Sequence, residues 1–133
     1  VEWRHEGKTA IPHLIRATDG GLLSLGCIWE EWLNKESGEL TKSFSILTTE
    51  ANDLMSFVHN NKLRMPVIIE RSQRDEWLSD IDKEHISRLT RPLPEGILKA
   101  APLQSIVSRV KVNPQDSELI EPVGEWFNEP PTQ

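Results

Sequence analysis

The chain of 133 residues has one cysteine, no tyrosine and no excess of positive charge, and each shortage removes a class of function. A lone thiol cannot close an internal disulfide. Cys27 lies in the apolar run Leu25-Gly26-Cys27-Ile28-Trp29 and reads as a small buried hydrophobe rather than a nucleophile. The formal net charge is −6, which argues against a non-specific nucleic-acid coat, since phosphate contacts need clustered Lys and Arg. Much of the acid sits near the end, at Asp116, Glu118, Glu121, Glu125 and Glu129, so a local basic groove elsewhere stays open.

No apolar run approaches the roughly 18 residues that span a bilayer, and the start has no signal-peptide pattern. The chain therefore reads as soluble and intracellular, with no membrane partner. His5, His13, His59 and His85 are scattered without His-x-x-x-His or Cys-x-x-Cys spacing, so no metal site is expected. Gly20-Gly21 lacks the following Gly and Lys of a phosphate-cradling loop, and no Gly-x-Ser-x-Gly elbow occurs. No cofactor is implied.

What is present is organised around Thr48 to Ile69. Ala51, Leu54, Met55 and Val58 recur at i, i+3, i+4 and i+7, the apolar stripe of a short helix. Thr49 is the expected N-cap, and Glu50 and Asp53 place negative charge in the first turn. His59 falls at the border of the stripe and faces a cleft. Met65 to Ile69 reads as a strand buried on both faces, with Pro66 at its first position or on an edge. Arg64 is thereby held near His59, and such a pair can handle an anion. An ordinary solvated αβ connection accounts for the same residues.

Elsewhere, residues 1–4 read as the end of a strand with Glu2 and Trp3 on opposite faces, and His5 to Lys8 as a turn. Ile11 to Thr18 completes a hairpin, and Asp19-Gly20-Gly21 is the strongest turn signal. Leu22 to Leu33 is expected as a central strand with Trp29 and Trp32 packed in the core. After a polar loop, Ser43 to Thr48 is the next strand. Ser72 is the expected N-cap of a helix through Leu78, and a second helix covers Asp82 to Thr90. Ile97 to Leu103, Ser105 to Val112 and Leu119 to Val123 are further strands or extended arms.

The resulting class is α+β: an antiparallel-rich mixed sheet with short helices between strands. Val1-Glu2-Trp3-Arg4 begins in mid-pattern without Met, so the expectation is an incomplete domain over 1–123, followed by a disordered acidic, Pro-rich tail over 124–133. A carboxyl at Glu2 and an imidazole at His59 can share general acid and base work if they meet in one cleft.

Four segments in order carry a resemblance: Val1-Glu2-Trp3 opening a hairpin; Phe44-Ser45-Ile46-Leu47-Thr48-Thr49; Val58-His59-Asn60 leading to Arg64-Met65-Pro66-Val67-Ile68; and Val107-Ser108-Arg109 with Val112-Asn113 before Leu119 to Val123. Together they resemble the SOS response-associated peptidase (SRAP) family up to Val123. The resemblance implies a protein that senses abasic sites in single-stranded DNA and shields them covalently. In the family, the amine and thiol of an N-terminal cysteine condense with the ring-opened sugar aldehyde to give a thiazolidine, and a self-processing peptidase activity is also associated. It implies that Glu2 shuttles protons, that His59 acts as acid or base, and that Arg64, Thr48 and Trp3 contact DNA. A monomer in a bacterial cytoplasm, acting at the nucleoid, is expected, the location resting on the lack of targeting signals. The family's cysteine and asparagine are absent from these residues, Cys27 has no free α-amine, and four residues separate His59 from Arg64. The 133 residues alone are therefore expected not to crosslink DNA. The alternatives are a non-catalytic α+β interaction module and, ranked last, a hydrolase built on Glu2 and His59.

Overall fold

The computed structural model describes residues 1–105, 113 and 115–132. Glu2–Glu6 (β1) and Thr9–Ala17 (β2) pair antiparallel through a turn in which Gly7 takes φ 60°, a conformation that costs a residue without Cβ little. The register sets Glu2 opposite His13 and Trp3 opposite Pro12. Leu98–Pro102 (β9) pairs with the other edge of β2, giving a three-stranded sheet ordered β1-β2-β9.

The stretch expected as one central strand is divided. Ser24–Leu25 (β3) pairs with Ile68–Ile69 (β8), whereas Cys27–Leu33 (β4) pairs with Leu40–Ile46 (β5). Gly26, at the break, is the hinge of this exchange. It donates to the Val67 carbonyl at 2.8 Å and accepts from Leu47 at 2.9 Å, while Val67 donates to Leu47 at 2.9 Å. A Cβ on Gly26 would lie 3.0 Å from Val67 Cγ1 and 3.3 Å from Trp77 Cζ2. Val67 is only 1% exposed and has little room to move, so Gly26→Ala is expected to cost about 1–3 kcal/mol, the usual penalty of overpacking. A urea titration checks this, and an unchanged midpoint would show that the junction can relax.

Thr48–Glu50 (β6) pairs with Arg64–Pro66 (β7), and between them lies the helix Asp53–Val58 (α1). Its N-cap is Asn52, three residues beyond the expected Thr49, because Thr49 is engaged in the β6–β7 ladder opposite Met65. Asn52 Oδ1 accepts from the Met55 N–H at 3.0 Å, and its Nδ2 donates to the Leu93 carbonyl at 3.0 Å. Leu54, Met55 and Val58 are buried as the spacing predicts. They join Met65, Ile68, Leu93, Leu98 and Ala100 in the core, so α1 is seated on the β1-β2-β9 sheet by its apolar face.

Several expectations are corrected. Trp29, Trp32, Ile28 and Phe44 are 71%, 57%, 58% and 70% exposed, so β4–β5 is an open apolar hairpin and not a core element. Directly opposed pairs share a face, and one face therefore carries Trp29 with Phe44, Leu33 with Leu40, and the Glu31–Lys42 ion pair at 2.8 Å between them. Cys27 is half-buried. Ser72 lies inside a 3₁₀ turn over Arg71–Gln73 that leads into Arg74–Trp77 (α2), and caps nothing. Lys83–Leu89 (α3) follows, with Asp82 as its N-cap accepting from the Glu84 and His85 N–H groups. Ser117–Ile120 is a 3₁₀ turn instead of a strand, although Pro122 bridges to Leu103. The strand expected over Ser105 to Val112 falls outside the described residues from 106 onward.

The segment after Val123, expected to be disordered, is tied to the sheet at Trp126, beside Arg16 and Lys99, and at Phe127. Phe127 exchanges both backbone hydrogen bonds with Ala100, at 2.8 and 2.9 Å, and its ring meets Phe57 edge-on with centroids 5.7 Å apart. A polar, Pro-rich composition does not reveal that a half-buried ring anchors the segment. The architecture is α+β, and every strand pairing among the described residues is antiparallel. Among them, no helix is long and apolar enough to cross a membrane.

Candidate functional site

His59 is the C-cap of α1, where the chain leaves the helix. Its backbone N–H still donates to the Met55 carbonyl, at 2.7 Å, so the last helical turn fixes its position. The chain then returns through Leu63, whose φ of 51° makes it the one non-glycine residue in the left-handed region among those described. That turn brings the Arg64 carbonyl oxygen to 2.9 Å from His59 Nδ1. A carbonyl oxygen can only accept, so Nδ1 carries the proton of the neutral ring and Nε2 keeps the lone pair.

Glu2 opens β1, and its Oε2 lies 4.0 Å from His59 Nδ1. This is beyond a direct hydrogen bond but within ion-pair range when the ring is protonated. Both side chains are partly exposed, at 30% for Glu2 and 24% for His59. They line an open cleft of about 470 Å³ together with Trp3, His5 and Ala10. His5 was missed by the sequence reading. The available signal was its i, i+2 relation to Trp3, which puts both on one face of β1. A carboxylate and an imidazole whose Nε2 keeps its lone pair make a cleft suited to proton transfer.

Arg64 and Thr48 do not line this cleft. They sit on the β6–β7 ladder, where Thr48 opposes Pro66 and Arg64 opposes Glu50. Both are exposed, and among the described residues the Arg64 guanidinium has no ion-pair partner. It is Arg64's carbonyl, not its side chain, that touches His59. No group of three or more His, Cys, Asp or Glu among the described residues is arranged to hold a metal ion. A larger hollow, of about 700 Å³, lies between the end of β2 and β8. Its lining includes Arg71, Arg74, Asp19 and Glu70 and no histidine.

Opposite Glu2 on β2, His13 is only 5% exposed and its Nδ1 donates to the Ile11 carbonyl at 3.0 Å. Burial holds its pKa below the ordinary 6.5, opposed in part by the hydrogen bond to Ile11; Arg4 lowers it and Glu6 raises it by smaller amounts. The unfolded chain therefore takes up this proton more readily than the folded one. The resulting stability is complete above about pH 6.5 and is lost as the pH falls through the folded-state value. Urea midpoints measured at about pH 7.5 and 5.5 should fall less for His13→Gln than for the native chain. Equal falls in both would place the acid sensitivity elsewhere.

Residues 1–110 match the model of a family described as SOS response associated peptidase (SRAP). The Abasic site processing protein YoqW of Bacillus subtilis is 32% identical over 123 residues, covering 90% of this chain and 52% of YoqW. The Abasic site processing protein YoaM of the same organism is 28% identical over 123 residues, with 90% and 52% covered. A crystal structure of a Bacteroides thetaiotaomicron protein superposes with a TM-score of 0.85 at 33% identity, covering 91% of this chain and 52% of that one. The chain thus spans about half the length of the curated relatives it matches.

Proposed function

Because the chain belongs to the SOS response associated peptidase (SRAP) family, we propose that it carries the glutamate and histidine of a site that senses abasic sites in single-stranded DNA and captures them covalently. The observation supporting this reading is the meeting of Glu2 and His59 on one cleft, 4.0 Å apart, beside Trp3. Covalent capture begins with opening of the sugar ring. One proton must leave the anomeric hydroxyl as another reaches the ring oxygen, a shuttle that a partly exposed carboxylate such as Glu2 can perform. An amine then adds to the exposed aldehyde carbon, water leaves with a proton supplied by an acid, and a thiol sulfur adds to the imine carbon to close the thiazolidine. His59, with Nδ1 turned to the Arg64 carbonyl, presents Nε2 as the group that accepts or returns these protons.

The amine and thiol are the family's N-terminal cysteine. Cys27 does not replace it, since its amine is a peptide nitrogen and its thiol donates to the Leu25 carbonyl. Arg64 provides an exposed cation for a DNA phosphate, Trp3 lines the cleft beside the lesion, and Thr48 provides a hydroxyl on the same ladder as Arg64. The protein acts as a monomer in the bacterial cytoplasm, at the nucleoid, without a cofactor.

The test is a denaturing-gel assay for an adduct with single-stranded DNA bearing one abasic site. It compares the 133-residue chain with the full product of the reading frame that contains it. An adduct from the full product only supports the proposal. The exposed apolar β4–β5 hairpin fits both this reading and a second one, a non-catalytic interaction module, which absence of an adduct from either form would select.

A further inference from the structure

The separation between Glu2 and His59 is set by two elements, β1 and the end of α1, and their junction has an unusual fastening. The Asn60 side chain is docked on the backbone of His5: its Oδ1 accepts from the His5 N–H at 2.9 Å, and its Nδ2 donates to the His5 carbonyl at 2.9 Å. A side-chain amide thereby imitates the strand partner that β1 lacks on this edge at His5 among the described residues. The next contact along β1 points the same way. Arg4 stacks over the Phe57 ring, 3.7 Å from its centroid, and donates to the Phe57 carbonyl at the end of α1.

We propose that Asn60 is a positioning residue for the Glu2–His59 pair: by clamping the backbone of His5 it fixes the strand bearing the carboxylate against the helix end bearing the imidazole. The proposal rests on the proposed function for its catalytic consequence, but the geometry it specifies is independent of that reading. A helix of six residues is too short to hold its own end rigid, and Asn60 follows His59 directly. The two bonds to His5 therefore act at the point where fraying of α1 would otherwise carry the ring away from Glu2. The Arg64 carbonyl fixes the tautomer of His59, and Asn60 fixes its distance from the acid.

The test uses Asn60→Ala and Asn60→Asp, the latter retaining only the acceptor for the His5 N–H. Two readouts are taken in the full reading-frame product. The first is the nuclear Overhauser effect between the His59 ring and the Glu2 side chain, which needs no activity. It should be lost in Asn60→Ala and weakened in Asn60→Asp while the melting transition stays cooperative. The second is the rate of adduct formation on abasic single-stranded DNA. It should fall up to about 100-fold in Asn60→Ala, the scale of an ångström misplacement, with a smaller fall in Asn60→Asp. In a His59→Ala background the further loss should be less than about twofold, because the residue to be positioned is gone. An intact Overhauser effect in Asn60→Ala overturns the positioning role, as does an equal loss of rate with and without His59. If the native protein forms no adduct, the functional proposal fails, and the Overhauser effect alone decides the clamp.

Discussion

Replacing His59 with alanine is expected to slow covalent capture of an abasic site by about 100-fold to 10,000-fold, the range over which a positioned acid or base contributes. The expectation follows from where the ring is placed. Nδ1 is committed to the Arg64 carbonyl at 2.9 Å, so Nε2 is the nitrogen left to exchange protons with substrate in the cleft shared with Glu2 and Trp3. Alanine removes that nitrogen and leaves the α1 core contacts of Leu54, Met55 and Val58 in place. The loss should therefore appear in the rate of adduct formation and not in the urea midpoint. A loss confined to DNA affinity, measured as retention of abasic DNA at equal adduct rate, would move His59 from chemistry to binding.

Leu54→Ala is expected to destabilise the protein by about 2–5 kcal/mol. Leu54 is 1% exposed and packs among Met55, Val58, Met65, Leu93 and Leu98. The six-residue helix draws little stability from its own hydrogen bonds, so this packing is what keeps it on the sheet. Since domains of this size hold only about 5–15 kcal/mol in total, the variant should unfold at markedly lower urea. A change below about 1 kcal/mol would mean that the surroundings of Leu54 collapse readily into the space.

These two effects also mark what the sequence makes legible. The buried face of α1 follows from the 3.6-residue recurrence of Leu54, Met55 and Val58, a local property that spacing reveals directly. The cap was misplaced because Thr49 and Asn52 are both good capping residues, and the ladder pairing of Thr49 with Met65, a tertiary fact, decides between them. The β4–β5 pair shows a related difficulty. Alternation along Leu22 to Leu33 identifies an apolar face, but no periodicity states what lies opposite, and Trp29 and Phe44 are largely exposed. Gly26 was the available sign that this run was not one strand, since a glycine inside a strand often marks a bulge or a close backbone approach.

The candidate site was partly legible. Chemistry-bearing residue types and a helix-border position singled out Glu2 and His59, but their proximity comes from the β1–α1 junction, which depends on Arg4, Phe57 and Asn60. Nothing in local pattern reveals such a clamp. The pairing expected between His59 and the Arg64 side chain occurs instead through the Arg64 carbonyl, because the left-handed turn at Leu63 presents the backbone to the ring. Arg64 and Thr48 lie outside the cleft, on the β6–β7 ladder.

The most direct measurement is a double-variant cycle on adduct formation: the native reading-frame product, Glu2→Gln, His59→Ala and the combination, each timed on the same single-stranded DNA with one abasic site. If Glu2 and His59 act as one proton-transfer unit, each single change should lower the rate by about 100-fold or more, and the combination should be little worse than the poorer single variant. Rates for both single variants within about threefold of the native protein would contradict the account and leave the cleft without a catalytic role.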